Sequence, residues 1–256
     1  MTQHIKTTTL DGVLEITLAR PDKKNALSNA MYRAASDALE HAQSDGAIRV
    51  VLLSSEGDAF TSGNDLSDFA GAAAGVAEEL QAGRFIRVLA QAEKPLIAAV
   101  PGLAVGVGTT LLLHCDLVFV ADTAKLSAPF VNLALVPEAA SSLLLTARIG
   151  HARAFAMFAM GEALTGIEAF DLGIANKVCP KDEVIPAARA AARMLAEKPL
   201  GAVVATKRLM RENEAILARM ARESQVFGER LKTAEAREAF SAFAERRPAN
   251  FTKLAS

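Results

Sequence analysis

From Pro95 to Leu113 the chain reads PLIAAVPGLAVGVGTTLLL, a run without a single charge. A run of roughly bilayer-spanning length must be hidden from water, either in a membrane or in a core. Pro101, Gly102, Gly106 and Gly108 interrupt it, and a lipid-facing helix would leave the backbone groups they free unpaired. The run therefore predicts a buried strand at PLIAAV, a glycine turn, and a helix at TTLLLHC. Such a segment needs a large core around it. With 256 residues, 51% of them hydrophobic and 22% charged, the chain has the material for one large domain, or a domain with an appendage.

The flanking segments alternate in the same way. VLEITLA (Val13 to Ala19) reads as a strand, RPDKKNAL as a turn, and Ser28 as the cap of a helix through MYRAASDALEHAQSD. IRVVLLSS (Ile48 to Ser55) reads as a buried strand ending at the polar loop EGDAFTSGNDLSDF. The small-residue patch AGAAAGVAEE has the composition of a mobile loop, and RFIRVLAQAE follows as a helix. DLVFVA and IANKVCP are further strands, with HARAFAMFAMG helical and EALTGIEAFDLG a loop. Two long helical stretches, roughly 181–196 and 199–245, close the chain, the second broken near Gly228. Strands alternating with helices predict an α/β core.

A formal net charge of −1 gives no electrostatic drive toward nucleic acid or an anionic membrane, and neither partner is expected. Cys115 and Cys179 lie far apart and outside any CxxC, which speaks against a disulfide framework or a zinc site. A reducing cytoplasm is the expected compartment. The opening MTQHIKTTTLDG lacks the basic-then-apolar pattern of a secretory signal.

Candidate chemistry lies in two glycine turns and one carboxylate. GLAVGVGTT fails the GxGxxG test at its third glycine, and no GxxxxGK[ST] is present. Glycines ahead of a helix still expose backbone N–H groups, which stabilise negative charge developing on an oxygen. FTSGND offers a second such donor, and two loops each delivering one N–H make an oxyanion hole. In LALVPEAASS, Glu138 stands among aliphatic and small residues, either as a helix-start carboxylate after Pro137 or as a base whose pKa an apolar wall raises. Lys23 and Lys24 read equally as solvated turn charges, Phe243 as core, Asp65 as a structural loop carboxylate, and His114 as a packed histidine without a metal-ligand partner.

In order, RPDKKNAL, GDAFTSGNDL, AVPGLAVGVG, HCDLVFVAD and LVPEAASS resemble the crotonase, or enoyl-CoA hydratase/isomerase, superfamily over nearly the whole chain. The resemblance implies a spiral of ββα units over residues 1–195 and a helical oligomerisation region over 196–256, assembling homotrimers or dimers of trimers. It implies an acyl-CoA thioester as substrate, with coenzyme A as part of that substrate and no permanently bound cofactor or metal. By motif match the oxyanion N–H donors are those of Asn64 and Val107. Lys23, Lys24 and Ala26 match the loop along the CoA adenine and phosphates. Phe243 and Arg246 match a C-terminal pair that in relatives reaches CoA, partly across a subunit boundary.

Hydratases of this superfamily use two glutamates, and the motif alignment puts Thr110 and Phe130 at those positions. A threonine hydroxyl is no base near neutral pH and a phenylalanine transfers no proton. Glu138 instead matches the single glutamate of relatives resembling Δ3,Δ2-enoyl-CoA isomerases. The expectation is an isomerase in which Glu138 moves one proton from C2 to C4 of a 3-enoyl thioester. Alternatives are a hydratase or other crotonase-type lyase or hydrolase, and a non-catalytic acyl-CoA-binding subunit.

Overall fold

The computed structural model describes residues 2–65 and 81–253. The AGAAAGVAEE patch lies outside the described residues. Strands β1 (Ile5–Leu10) and β2 (Val13–Leu18) form a hairpin closed by Asp11 and Gly12 at φ 51° and 77°. Positive φ at both residues matches the twist of the strands it joins, and the Asp-Gly pair is its sequence signal. The expectations above omit β1, because IKTTTL is exposed at every position after its half-buried Ile5 and carries no apolar alternation.

Beyond β2, three successive strand pairs place one strand in each of two sheets. β2, β3 (Val50–Ser55), β5 (Leu96–Val100), β7 (Leu117–Ala121) and β10 (Lys177–Cys179) run parallel, completing a six-stranded sheet in the order β1-β2-β3-β5-β7-β10. The second strands, β4 (Ala59–Thr61), β6 (Leu103–Val105) and β8 (Lys125–Ser127), form a second sheet with an antiparallel β9 (Leu164–Thr165), in the order β4-β6-β8-β9. This is the expected α/β spiral of ββα units. β3 and β5 are buried at every position, which is why VVLLSS and LIAAV read as continuous runs instead of alternating ones. β4 and β6 fall inside segments predicted as loop and turn, since strands of three residues are too short to show a period.

Helix α1 (Asn29–Ser44) starts where Ser28 accepts the Met31 N–H at 3.3 Å, as its sequence predicts. It packs on α2 (Ala82–Gln91), with the rings of Tyr32 and Phe85 5.4 Å apart. The short α3 (Val107–Thr110) runs into a 3₁₀ turn at Leu111–His114. α4 (Ser141–Ile149) and α5 (His151–Phe155) follow, and α5 passes into a π turn at Ala156–Met160. EALTGIEAFDLG, predicted as a loop, contains β9 and α6 (Gly166–Asp171). Its Thr165–Glu168 capping box satisfies both N-terminal donors and is a signal the apolar pattern hides.

α7 (Val184–Ala196) buries Val184, Ala188, Ala192 and Ala196 in the core. The closing helices are α8 (Leu200–Met210), α9 (Asn213–Leu231) and α10 (Ala234–Ala244). The break expected near Gly228 is absent there, because one glycine inside a long helix costs only about 1 kcal/mol. The breaks come at Arg211, which is extended, and at Thr233, whose hydroxyl caps α10 by accepting the Ala236 N–H. Cys115 and Cys179 are free and buried. Among the described residues no helix is long and apolar enough to cross a membrane.

Candidate active site

The turn after β2 is built around a residue that the sequence expectations pass over. Asn25 is fully buried with φ 54°. Its side chain accepts the Arg20 N–H at 2.7 Å and donates to the carbonyls of Glu56 and Ala59 at 2.9 and 2.8 Å. The Thr61 hydroxyl donates to the Asn25 carbonyl at 2.6 Å, and Leu27 forms a parallel bridge with Asn64. That bridge uses the Gly63 carbonyl and the Asp65 N–H, so the N–H of Asn64 points away from it. Arg20 completes the clasp, with Nη1 2.7 Å from Asp65 Oδ2 and 3.1 Å from the Ala26 carbonyl. Asp65 is therefore a structural loop carboxylate.

A second loop presses on the first. A Cβ on Gly63 would lie 2.9 Å from the Val105 carbonyl oxygen, and one on Gly108 would lie 2.5 Å from Thr61 Cγ2. Only glycine at both positions lets the loops carrying Asn64 and Val107 meet this closely. Val107 is the first residue of α3, where an N–H has no intrahelical acceptor. The Gly106 N–H donates to the Ser127 carbonyl at 2.8 Å, and the buried Thr109 hydroxyl sits 2.8 and 2.9 Å from the Ala104 and Ser127 carbonyls, fixing the helix start.

Both loops open onto a cavity of about 820 Å³. Lys23, Ala26, Asn64, Val107 and Phe243 line it, together with Arg20, Phe130, Leu133, Leu135, Phe227 and Phe240. Lys24 and Arg246 are exposed, Lys24 on the same turn as Lys23 and Arg246 just beyond α10, and neither lines the cavity. Phe243 reaches this chain's own cavity from α10, where it stays 61% exposed. Of the two positions aligned with hydratase glutamates, Phe130 lines the cavity with its ring 5.9 Å from that of Phe158. Thr110 is fully buried, its hydroxyl without a partner among the described residues.

Glu138 is not among the residues lining the cavity; it lies three positions after Leu135, which is, and three before Ser141, the first residue of α4. The residue keeps some exposure, yet its Oε1 is shut away from solvent and has no hydrogen-bond partner among the described residues. Burial, and then the negative charge of Glu223, push its pKa up to about 7. A helix N-terminus favours the ionised form, and at Glu138, three residues ahead of Ser141, burial and the Glu223 charge act against it. Tyr32, the chain's one tyrosine, ties this carboxylate to the first loop. Its hydroxyl donates to the Asn64 side-chain oxygen, and burial followed by the charge of Glu138 raises its own pKa. The sequence expectations miss Tyr32 because its place in α1 marks it only as core.

The geometry is that of a site for an amphiphilic ligand: cations, an apolar wall and backbone donors on converging loops, with one carboxylate poised near neutrality three residues beyond the lining Leu135. The family model for enoyl-CoA hydratase/isomerase matches residues 8–254. The chain is 35% identical over 248 residues to a probable enoyl-CoA hydratase of Rhodobacter capsulatus, covering 94% of this chain and 95% of that one. It is 34% identical over 215 residues to enoyl-CoA delta isomerase 2 of Rattus norvegicus, 82% of this chain but 55% of the relative, so it spans about half of that protein's length. The crystal structure of an enoyl-CoA hydratase/isomerase from Pseudoalteromonas atlantica aligns with a TM-score of 0.92 at 38% identity, covering 97% of this chain and 100% of that one. Because the match runs from the first strand to the last helical turn, and not through the site loops alone, the chain belongs as a whole to the enoyl-CoA hydratase/isomerase family and carries its crotonase fold.

Proposed function

We propose that the protein is a Δ3,Δ2-enoyl-CoA isomerase in which Glu138 is the single acid and base. The observation that carries this reading is the carboxylate of Glu138: its Oε1 is buried and without a hydrogen-bond partner among the described residues, and its pKa is about 7. At neutral pH such a group is partly ionised, strong enough to take a proton and acidic enough to return it. Thr110 and Phe130 supply no second carboxylate to activate water.

In the proposed reaction, Glu138 removes a proton from C2 of a 3-enoyl thioester. The C–H electron pair moves into a dienolate whose charge rests on the thioester oxygen. The N–H groups of Asn64 and Val107 receive that charge, each worth about 2.7–4 kcal/mol in comparable holes. Protonated Glu138 then delivers its proton to C4, the double bond settles between C2 and C3, and the carboxylate is regenerated. Lys23 and Lys24, with Ala26, hold the CoA phosphates and adenine, and Phe243 and Arg246 contribute from the C-terminus. We include a cytoplasmic homotrimer or dimer of trimers in the proposal, supported by Leu209 and Met210 at the end of α8, which are 88% and 79% exposed.

The test is incubation of the protein and of Glu138→Ala with a 3-enoyl-CoA and a 2-enoyl-CoA, the products separated by chromatography and mass. The expected result is conversion of the 3-enoyl to the 2-enoyl thioester, lost in the variant. A hydrated product would make the protein a hydratase, and tight thioester binding without product would make it a binding subunit.

A further inference from the structure

Glu138 is presented by an unusual turn. The Ser141 N–H donates to the Glu138 carbonyl at 3.0 Å, and the two residues between, Ala139 and Ala140, have φ of 62° and 54°. This is a type I′ turn, whose central positions favour glycine or asparagine. Consecutive left-handed alanines cost on the order of 1–2 kcal/mol each and persist only where the surroundings overdetermine them.

Two groups from distant elements do so. His114 Nε2 lies 2.8 Å from the Ala139 carbonyl oxygen. From the middle of α9, Glu223 is 7% exposed and sends its carboxylate into the start of α4. Glu223 Oε2 accepts the Ala140 N–H at 2.6 Å, while Oε1 accepts the Ser142 N–H at 3.0 Å and the Ser142 hydroxyl. Ala140, at the N-cap of α4, has no side-chain oxygen of its own, and Glu223 takes over that capping role from a remote helix. Burial raises the pKa of Glu223, and its hydrogen bonds from Ser142 and Ala140 and the charge of Arg219 pull the other way; both its oxygens face donors, an arrangement suited to the ionised carboxylate.

An apolar cap is impossible here, but a neutral serine or asparagine would cap a helix without burying a second negative charge beside the first. We propose that Glu223 is a positioning residue for Glu138: it clamps the turn that aims the Glu138 carboxylate and sets a fixed negative charge behind it. Both Glu223 oxygens are engaged by the turn itself, so Glu223 acts through Glu138 and not on substrate. The inference rests on the reading of Glu138 as the base. Burial raises the proton affinity of Glu138 first, and the Glu223 charge adds to it. The other groups facing this turn are the phenol of Tyr32 from α1, the imidazole of His114, and Arg219 from α9, whose Nη1 lies 3.4 Å from the Ser142 hydroxyl.

Two substitutions separate the clamp from the charge. Glu223→Gln keeps the shape and removes the charge, and its amide NH₂ meets a backbone N–H in place of an acceptor. Glu223→Asp keeps the charge and is too short to reach both ends of the turn. The first readout needs no substrate: protein carrying ¹³Cδ-labelled glutamate is titrated by NMR, the Glu138 resonance assigned by its loss in Glu138→Gln. In Glu223→Gln its midpoint is expected to fall by about one unit, the effect of removing a nearby like charge. In Glu223→Asp the midpoint stays and kcat on a 3-enoyl-CoA falls about tenfold with KM little changed, since misplacement of a reacting group acts on the chemical step. An unchanged midpoint in folded Glu223→Gln, or a wild-type kcat in Glu223→Asp, overturns the proposal. If Glu223→Gln does not fold, the Glu223→Asp kcat decides. A shifted midpoint in a protein with no isomerase activity upholds the charge that Glu223 sets behind Glu138 and overturns the isomerase reading.

Discussion

Arg211 Nη2 lies 3.1 Å from His114 Nδ1, and this one contact fixes the protonation of the histidine. A guanidinium only donates, so Nδ1 must accept and the proton sits on Nε2, from which it is donated to the Ala139 carbonyl. Burial, followed by the charge of Arg211, pushes the His114 pKa down to about 3. Between that value and the ordinary 6.5 the unfolded chain binds a proton that the folded one refuses. Stability therefore rises with pH across this window, by about 1.4 kcal/mol per unit from this residue, and is lost as pH falls. The expected ¹⁵N spectrum of His114 shows the neutral Nε2–H form throughout pH 5–8. His114→Phe removes the imidazole partners of the Ala139 carbonyl and of Arg211 Nη2, while Arg211 Nη1 keeps its bond to the backbone carbonyl of residue 114; the expected cost is about 1–3 kcal/mol for each group left without its partner, measured by urea unfolding at pH 7.

Glu138 gives the opposite sign. Its folded pKa of about 7 stands above the ordinary 4.5, so the folded state holds the proton more tightly and stability falls as pH rises from 4.5 to 7. Above pH 7 the ionised carboxylate destabilises the fold by on the order of 3 kcal/mol. Glu138→Gln is expected to gain about this much over the wild type at pH 8 and almost nothing below pH 4.5, in urea melts at one protein concentration. The same substitution abolishes isomerisation under the proposed mechanism. In the wild type, kcat/KM is expected to rise toward a plateau through about pH 7, tenfold per unit on the acid side, because only the ionised form removes a proton. A flat profile from pH 5 to 8 would take the base assignment away from Glu138.

The long buried strands and amphipathic helices are legible in the sequence because each supplies a full period: VVLLSS, LIAAV and the helix capped by Ser28 sit where the pattern puts them. β1 is not, being exposed, and β4, β6 and β9 are not, being two to three residues long and paired with strands far along the chain. The site divides in the same way. Motif and spacing bring out the residues that meet ligand in the proposed reaction, Asn64, Val107 and Glu138. The groups that hold them, Asn25, Tyr32, His114, Arg211 and Glu223, come from distant elements and carry no local pattern. Only the fold brings them together.

Asn25 offers a test of that supporting layer. Asn25→Ala removes two donors and one acceptor from a buried site, leaving the Glu56 and Ala59 carbonyls and the Arg20 N–H unpaired. It also places alanine at φ 54°. The expected loss of stability is about 3 kcal/mol. The turn that loosens carries Lys23 and Ala26 at the cavity mouth and, through the Thr61 hydroxyl and the Leu27–Asn64 bridge, also holds the Asn64 loop. KM for an acyl-CoA thioester is therefore expected to rise and kcat to fall, each about tenfold, since the turn positions both the remote part of the ligand and one oxyanion donor. A wild-type kcat with a raised KM would mean that the turn supports the cavity mouth alone.

Gly108 tests the contact between the two loops. A methyl group there would lie 2.5 Å from Thr61 Cγ2 and 3.2 Å from the Thr61 carbonyl oxygen, so Gly108→Ala must push the Asn64 loop and the Val107 loop apart. Displacing one oxyanion donor lowers kcat by about 10²–10³, and that is the expected loss on a 3-enoyl-CoA. Thr61→Ser removes the Cγ2 that makes the closer clash while keeping the hydroxyl that donates to the Asn25 carbonyl. Thr61→Ser combined with Gly108→Ala is therefore expected to recover most of the lost kcat, a rescue that general destabilisation would not give. Gly228→Ala is the control. Inside α9 nothing lies within 4 Å of its added methyl, so it is expected to raise stability by about 0.5–1 kcal/mol and leave kcat unchanged. If Gly108→Ala turned over substrate as fast as Gly228→Ala, the close approach of the two loops would have no part in catalysis, and the donors assigned to Asn64 and Val107 would have to be sought elsewhere.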